Sequence, residues 1–80
     1  MKTFYFVGGP RPGQAGEFLR RLEQIGRPPA GWQICPHVAG DGQALHVVTV
    51  ASAQEIIDYL AQFSDIYAHS EIVEVRLSVP

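Results

Sequence analysis

Two histidines on either side of a turn pair are the residues best suited to chemistry. His37 and His46 flank Asp41-Gly42, and a two-residue type I′ turn at that pair would place them opposite each other across a hairpin. Because an imidazole titrates near neutral pH, one histidine could act as a general base while the other holds the substrate. Both are therefore the candidate catalytic residues. The alternative is two partly solvated histidines at a loop end.

Three other side chains are candidates for substrate binding. The same register places Cys35 opposite Val48, on the face that carries both histidines. Cys35 could be a third zinc ligand, but a diagonal across two strands suits tetrahedral ligation poorly, so no metal and no cofactor are predicted. A small buried hydrophobe is the simpler interpretation of this thiol. Tyr5 and Trp32 are large aromatic residues that could line a substrate pocket.

Residues 8–13 have the G-x-x-x-x-G spacing of a phosphate-binding loop. The next residues are Gln14 and Ala15, where that chemistry needs Lys and then Ser or Thr. The segment therefore predicts a turn into a helix and not a nucleotide site. An anion at the first amides of that helix, beside Arg11, is a weaker possibility.

Hydrophobic periodicity predicts the elements that position these residues. The predicted strands cover 4–7, 32–38, 43–51 and 72–79, and the predicted helices cover 14–26 and 53–63. Gly26 is suited to end the first helix, and Ser52 with Glu55 forms a capping box for the second. Pro36 cannot donate to a ladder, which predicts an edge strand. Residues 64–70 are predicted to form a loop.

This order predicts an α+β domain with the ferredoxin-like βαββαβ arrangement, in which two helices cover one face of a four-stranded antiparallel sheet. The type I′ turn assigns the hairpin residues to two faces, although a one-residue slip would exchange them. The face toward the helices would carry Trp32, Ile34, Pro36, Val38, Leu45, Val47 and Thr49, and the other would carry Gln33, Cys35, His37, Ala44, His46, Val48 and Val50.

Composition limits the class of protein and its partners. Eighty residues make one domain, 1–80, with a net charge of −2 and no basic block, so nucleic acid is not an expected partner. No apolar run is long enough for a membrane span. A single cysteine, with an apolar N-terminal run that stops at Val7, predicts a cytoplasmic protein. Strands that are apolar on both faces predict a homodimer through the sheet face that the helices leave open.

The segment 44–57, together with the closing strand 71–79, resembles the dimeric α+β barrel superfamily. Its members include muconolactone-isomerase-like proteins, antibiotic-biosynthesis-type monooxygenases, stress-responsive barrel proteins and small polyketide cyclases. The resemblance implies the ferredoxin-like fold, dimerisation and a small apolar cavity for a ring-shaped substrate. The superfamily shares no single catalytic motif, so it assigns no catalytic residue here.

These observations predict a small cofactor-independent enzyme that acts on a cyclic or aromatic molecule. It would transfer a proton as an isomerase or cyclase, or permit attack by O₂ as a monooxygenase does. The alternative is a non-catalytic module for ligand sensing or dimerisation. Arg11-Pro12-Gly13, which opens a helix containing Phe18, Leu19 and Leu22, is similar to the amino-acid-binding ACT module.

Overall fold

The computed structural model describes residues 1–36 and 42–76. Within them the chain forms an α+β fold of two helices and an antiparallel five-stranded sheet. The elements in chain order are β1 (Lys2–Pro10), α1 (Ala15–Ile25), β2 (Trp32–Pro36), β3 (Ala44–Val50), α2 (Ala53–Ala61), β4 (Tyr67–His69) and β5 (Val73–Glu74).

Strand β1 lies at the centre of the sheet, which has the order β2-β3-β1-β4. The far end of β1 pairs with β4, where Pro10 is opposite Tyr67. Its middle pairs with β5, where Tyr5 is opposite Val73. Because β3 occupies the other side of β1 along most of its length, β4 and β5 lie on the same side. Strand β2 is at the edge, as the proline at position 36 predicts.

Two predicted boundaries were wrong, and the first was wrong because the glycines after Val7 were taken only as a signal for a turn. Strand β1 continues through Gly8 and Gly9 to Pro10, and β4 occupies part of the predicted loop 64–70. A Cβ atom on Gly8 would lie 2.6 Å from Tyr67 Oη, and one on Gly9 would lie 2.6 Å from the Gly42 carbonyl oxygen. These glycines therefore permit close approach within the sheet. The last predicted strand begins as the short β5, and residues 77–80 lie outside the described part.

Local signals for the helices are confirmed. Helix α1 is followed by Gly26, whose φ of 94° is readily adopted by glycine. In the capping box of α2, the Ser52 amide donates to the Glu55 carboxylate at 3.2 Å. Neither of the two helices in the described part of the chain is long and apolar enough to cross a membrane.

The hydrophobic core lies between one face of the sheet and the helices. Helix α2 contributes the buried residues Ile56 and Leu60, whereas α1 has no fully buried residue and packs through partly buried side chains such as Phe18 and Leu22. The remaining core residues are Phe4, Phe6, Val48, Val50, Phe63, Ile66 and Tyr67. Helix α1 therefore covers the sheet less tightly than α2 does.

The predicted hairpin register was wrong by three residues. Leu45 is opposite Cys35 instead of Val38, and His46 is opposite Ile34 instead of His37. The last described pair joins Pro36 to Ala44, whereas the assumed two-residue turn placed Pro36 opposite Val47. Residues 37–41, which include His37, Val38 and Asp41, lie outside the described part.

A shift by an odd number of residues exchanges the faces of one strand relative to the other. His46, Val48 and Val50 share the helix-covered face with Trp32 and Ile34, contrary to the prediction. Leu45, Val47 and Thr49 were expected on that face, but they lie on the opposite one with Gln33 and Cys35. The helix-covered face therefore gains a histidine, and the helix-free face becomes more apolar.

Candidate functional site

A cavity of about 260 Å³ lies between the helices and the helix-covered face of the sheet. Apolar atoms form nearly all of its wall, because aromatic side chains from both layers converge on it. Its aromatic and polar wall residues are Phe18, Trp32, His46, Tyr59, Phe63 and Tyr67. Sequence-distant elements thus build one half-open, mostly apolar space.

Three strands bring the polar groups of the cavity together. Trp32 begins β2, His46 lies in β3, and Tyr67 begins β4. The register places Trp32 opposite Val48, one position along the same face from His46. The Tyr67 ring reaches across β1 because Gly8 has no side chain there. All three side chains thus meet on one side of the sheet.

The His46 ring is hydrogen-bonded at both nitrogens. The indole N–H of Trp32 donates to His46 Nδ1 at 3.0 Å, and His46 Nε2 lies 3.0 Å from Tyr67 Oη. An indole N–H can only donate, so Nδ1 must carry a lone pair. The neutral ring then has its hydrogen on Nε2, and Nε2–H donates to Tyr67 Oη.

Burial keeps His46 in this neutral form. The residue is only 8% exposed, and its ring stacks on Phe6 with centroids 4.6 Å apart. Burial lowers the pKa of His46, and a hydrogen bond to the Gly8 backbone opposes part of that decrease.

Tyr67 is also held in its uncharged form. Burial, with a smaller contribution from Tyr59, raises the pKa of Tyr67 to about 12. Phe18 stacks on the Tyr67 ring with centroids 5.2 Å apart. Tyr67 is therefore a hydrogen-bond donor at neutral pH, and its ring orientation is fixed by packing.

Polar contacts hold α1 over the cavity. Arg21 donates to both carboxylate oxygens of Asp65, at 2.6 and 3.1 Å, and to the Gln62 carbonyl. At the other end of the helix, the Tyr59 hydroxyl donates to the Gly26 carbonyl at 3.3 Å. Because α1 has no fully buried residue, these contacts help to fix the wall that it provides.

Of the predicted site residues that the structure describes, it brings together His46 and Trp32 only. Tyr5 and Cys35 lie on the helix-free face, where Tyr5 is 42% exposed and Cys35 is opposite Leu45. Cys35 and His46 therefore point to opposite sides of the sheet, which removes the geometry considered for zinc. No group of three potential metal ligands occurs within residues 1–36 and 42–76. His37 is outside the described residues.

The general-base role of His46 stays a prediction, and the geometry adds a condition to it. A neutral imidazole has one lone pair for accepting a proton. In this structure that lone pair is on Nδ1 and accepts from Trp32. For His46 to accept a proton from a bound molecule, the indole must turn away first.

Tyr67 is the site residue that the predicted site left out, because residues 64–70 were assigned to a loop. The useful signal was the Gly8-Gly9 pair next to a strand, since glycine in a strand often marks the close approach of another group. Tyr67 is opposite Pro10 in the register, one pair beyond Gly9. Considering these glycines as part of β1 would have indicated a neighbouring strand.

Comparison of the chain with protein-family models, curated proteins and solved structures finds no significant match. Function is therefore inferred from the cavity and from the side chains in its wall.

Proposed function

We propose that the chain binds a small, mostly apolar cyclic molecule in the cavity on the helix-covered face. The observation that carries the proposal is the cavity itself, with a volume of about 260 Å³ and aromatic walls. Binding sites for small molecules are mostly apolar clefts with a few well-placed polar groups. Here those groups are His46 and Tyr67, and a molecule of one or two rings suits the volume.

Trp32 provides a direct test, because it is the only tryptophan and lies in the cavity wall. Titration with tetralin, a two-ring hydrocarbon, should change its fluorescence saturably. Ala44 also lines the cavity, and Ala44→Phe should weaken binding about tenfold by occupying the space.

The matched control adds bulk at the next residue, which faces the other side of the sheet. Leu45→Phe should leave the affinity for tetralin unchanged, because Leu45 lies on the helix-free face opposite Cys35. Absence of saturable binding, or equal loss in Ala44→Phe and Leu45→Phe, would show that the cavity is not the binding site.

Proton transfer, as an isomerase or cyclase would perform it, is a second candidate function. It is favoured by the 3.0 Å separation of His46 Nε2 and Tyr67 Oη at the cavity wall, since an imidazole and a hydroxyl together can move protons. A monooxygenase-like reaction with O₂ has no specific support in this geometry. Binding is the preferred proposal, because the Nδ1 lone pair of His46 already accepts a hydrogen bond from Trp32 and is not free to accept a proton.

Hydrogen exchange tests this second function without a known substrate. In D₂O, the protein should accelerate exchange of the hydrogens next to the carbonyl of α-tetralone. His46→Ala should reduce that acceleration by roughly two to four orders of magnitude if His46 is the base, and Trp32→Phe should increase it by freeing Nδ1. Unaltered exchange in both His37→Ala and His46→Ala would exclude these two histidines as the base.

We also propose that the chain has the ferredoxin-like arrangement and forms a homodimer through the helix-free face. Support comes from the strand order and from the two helices, which both pack on the other face. The helix-free face carries no charged side chain among the strand residues whose register the structure describes. Its members are Thr3, Tyr5, Val7, Gly9, Gln33, Cys35, Leu45, Val47, Thr49, Ala68 and Val73.

A large uncharged apolar face usually marks an interaction surface, and a second copy presents the same apolar surface. Sedimentation at micromolar concentration should therefore show a dimer. Val47→Lys places a charge at the centre of this face and should give a folded monomer. A monomeric parent protein, or a Val47→Lys variant that is still dimeric, would contradict this proposal.

A further inference from the structure

We propose that Trp32, His46 and Tyr67 form a one-way series of hydrogen-bond donors that selects an uncharged ring compound carrying a carbonyl oxygen. This inference rests on the proposed binding function and names the class of ligand. The series runs from the Trp32 indole N–H to His46 Nδ1, and from His46 Nε2–H to Tyr67 Oη. The Tyr67 hydroxyl hydrogen is the next donor.

The direction of the series follows from its first member. Because Trp32 can only donate, it fixes the tautomer of His46, and the tautomer fixes Nε2 as a donor. The Tyr67 oxygen thus accepts from His46, so the Tyr67 hydrogen needs an acceptor other than His46. In residues 1–36 and 42–76, the Tyr67 hydroxyl has His46 Nε2 as its hydrogen-bond partner and no other. An acceptor atom on a bound molecule would satisfy this hydrogen.

The series also makes Tyr67 a better donor. A hydroxyl oxygen that accepts a hydrogen bond donates more strongly through its own hydrogen, because neighbouring hydrogen bonds polarise one another. The low dielectric of the cavity strengthens the effect. Tyr67 is thus prepared to donate to an oxygen atom that reaches the polar end of the cavity.

The ligand should be uncharged. The wall side chains in the described part carry no formal charge when His46 is neutral, so an ion would lose its hydration without gaining an opposite charge. A carbonyl oxygen on a ring meets both conditions, since it accepts a hydrogen bond and the ring suits the aromatic walls. An amine or ammonium group would present hydrogens where an acceptor is needed.

The test compares α-tetralone with tetralin, which has the same rings but no carbonyl. By Trp32 fluorescence, Tyr67→Phe should weaken α-tetralone binding roughly threefold to tenfold and change tetralin binding less than about twofold. Tyr59→Phe is the matched control, because Tyr59 lines the same cavity but donates to the Gly26 carbonyl. It should leave the ratio of the two affinities unchanged.

The outcomes separate this inference from the binding function. If both compounds bind and Tyr67→Phe affects them equally, the donor series is wrong and the cavity site stands. If neither compound binds the parent protein, both proposals are wrong. If Tyr59→Phe weakens α-tetralone binding more than Tyr67→Phe does, the carbonyl oxygen contacts Tyr59 instead of Tyr67, and the inference is overturned.

The role of Trp32 as a positioning residue has its own readout. In ¹⁵N NMR of the unliganded parent protein, His46 should be neutral with its hydrogen on Nε2. Trp32→Phe removes the indole donor, so a mixture of tautomers and a higher His46 pKa are expected. A hydrogen on Nδ1 in the parent protein would overturn the series, whether or not the variant folds.

Discussion

The two faces of the sheet are both rich in apolar side chains, but they differ in enclosure and in polar groups. On the helix-covered face, Phe6 and Val48 are completely buried and His46 has a partner at each nitrogen. On the helix-free face, Tyr5 is 42% exposed, and the Thr3 and Thr49 hydroxyls bond to each other at 3.1 Å. This difference is the basis for proposing ligand binding on the first face and association on the second.

The largest expected difference between the faces is in stability. Phe6→Ala should lower the free energy of unfolding by about 3–5 kcal/mol, because it empties a fully buried position and removes the ring stacked on His46. Tyr5→Ala, at the next residue of β1 but on the other face, should cost about 1 kcal/mol or less in the monomer. Urea denaturation of both variants at low protein concentration measures the two losses in the free energy of unfolding.

Equal losses for Phe6→Ala and Tyr5→Ala would contradict the difference in enclosure. A Tyr5 variant whose loss grows with protein concentration would fit the comparison, because it would report weaker association through the helix-free face.

An intermediate effect is expected where β1 passes Tyr67. Gly8→Ala would place a Cβ atom 2.6 Å from Tyr67 Oη and 2.9 Å from the ring carbon Cε1. The collision should lower the free energy of unfolding by about 1–3 kcal/mol and move the Tyr67 hydroxyl away from His46. Thermal unfolding, with ¹⁵N NMR of His46, measures both consequences.

Gly16→Ala is the control for this substitution. Gly16 lies in α1, where an added Cβ atom would meet no neighbouring group within 4 Å. Alanine there should be neutral or stabilise by up to about 1 kcal/mol through its helix propensity. A tolerated Gly8→Ala with the His46 signals unchanged would contradict the close packing of Tyr67 on β1.

The smallest expected effect is the pH dependence that His46 gives to stability. Its pKa in the folded protein is below the ordinary value of 6.5, so the unfolded chain binds a proton more readily. Stability should therefore be fully present above that value and decrease as the pH falls toward the lower folded pKa. Urea unfolding at about pH 7.5 and about pH 5 tests this.

His46→Gln should flatten this pH dependence, because the amide does not titrate. Glu17 does not confuse the comparison in this interval. Hydrogen bonds from Arg20 and Arg21 hold the pKa of Glu17 at about 2, below its ordinary 4.5, so its contribution is lost only at lower pH. The same slope in the parent and in His46→Gln would show that His46 is not a buried neutral group.

The sequence predicted those parts of the fold that depend on neighbouring residues. Helix ends at Gly26 and Ser52 follow from local capping, and Pro36 marks an edge strand through its missing N–H. The faces of the hairpin depend instead on its register. Register is set by the length of the connection and by the packing of distant strands, so an assumed two-residue turn put His46 on the wrong face.

The same reason explains which part of the site was predictable. Trp32 and His46 were chosen for their chemical types, and the structure places them in contact. Tyr67 could not be joined to them from spacing, because its position depends on a strand pair across Gly9 and Pro10. Cys35 was placed beside the histidines from a register that does not form, and Tyr5 was chosen only for its aromatic type.

The location of a bound ring compound tests the comparison of the two faces most directly. Intermolecular NOEs between α-tetralone and the isotope-labelled protein should connect the ligand to the side chains of Trp32, Phe63 and Tyr67. They should be absent for Tyr5 and Val47. Contacts to Tyr5 and Val47, without contacts to Trp32 and Tyr67, would contradict the assignment of ligand binding to the helix-covered face.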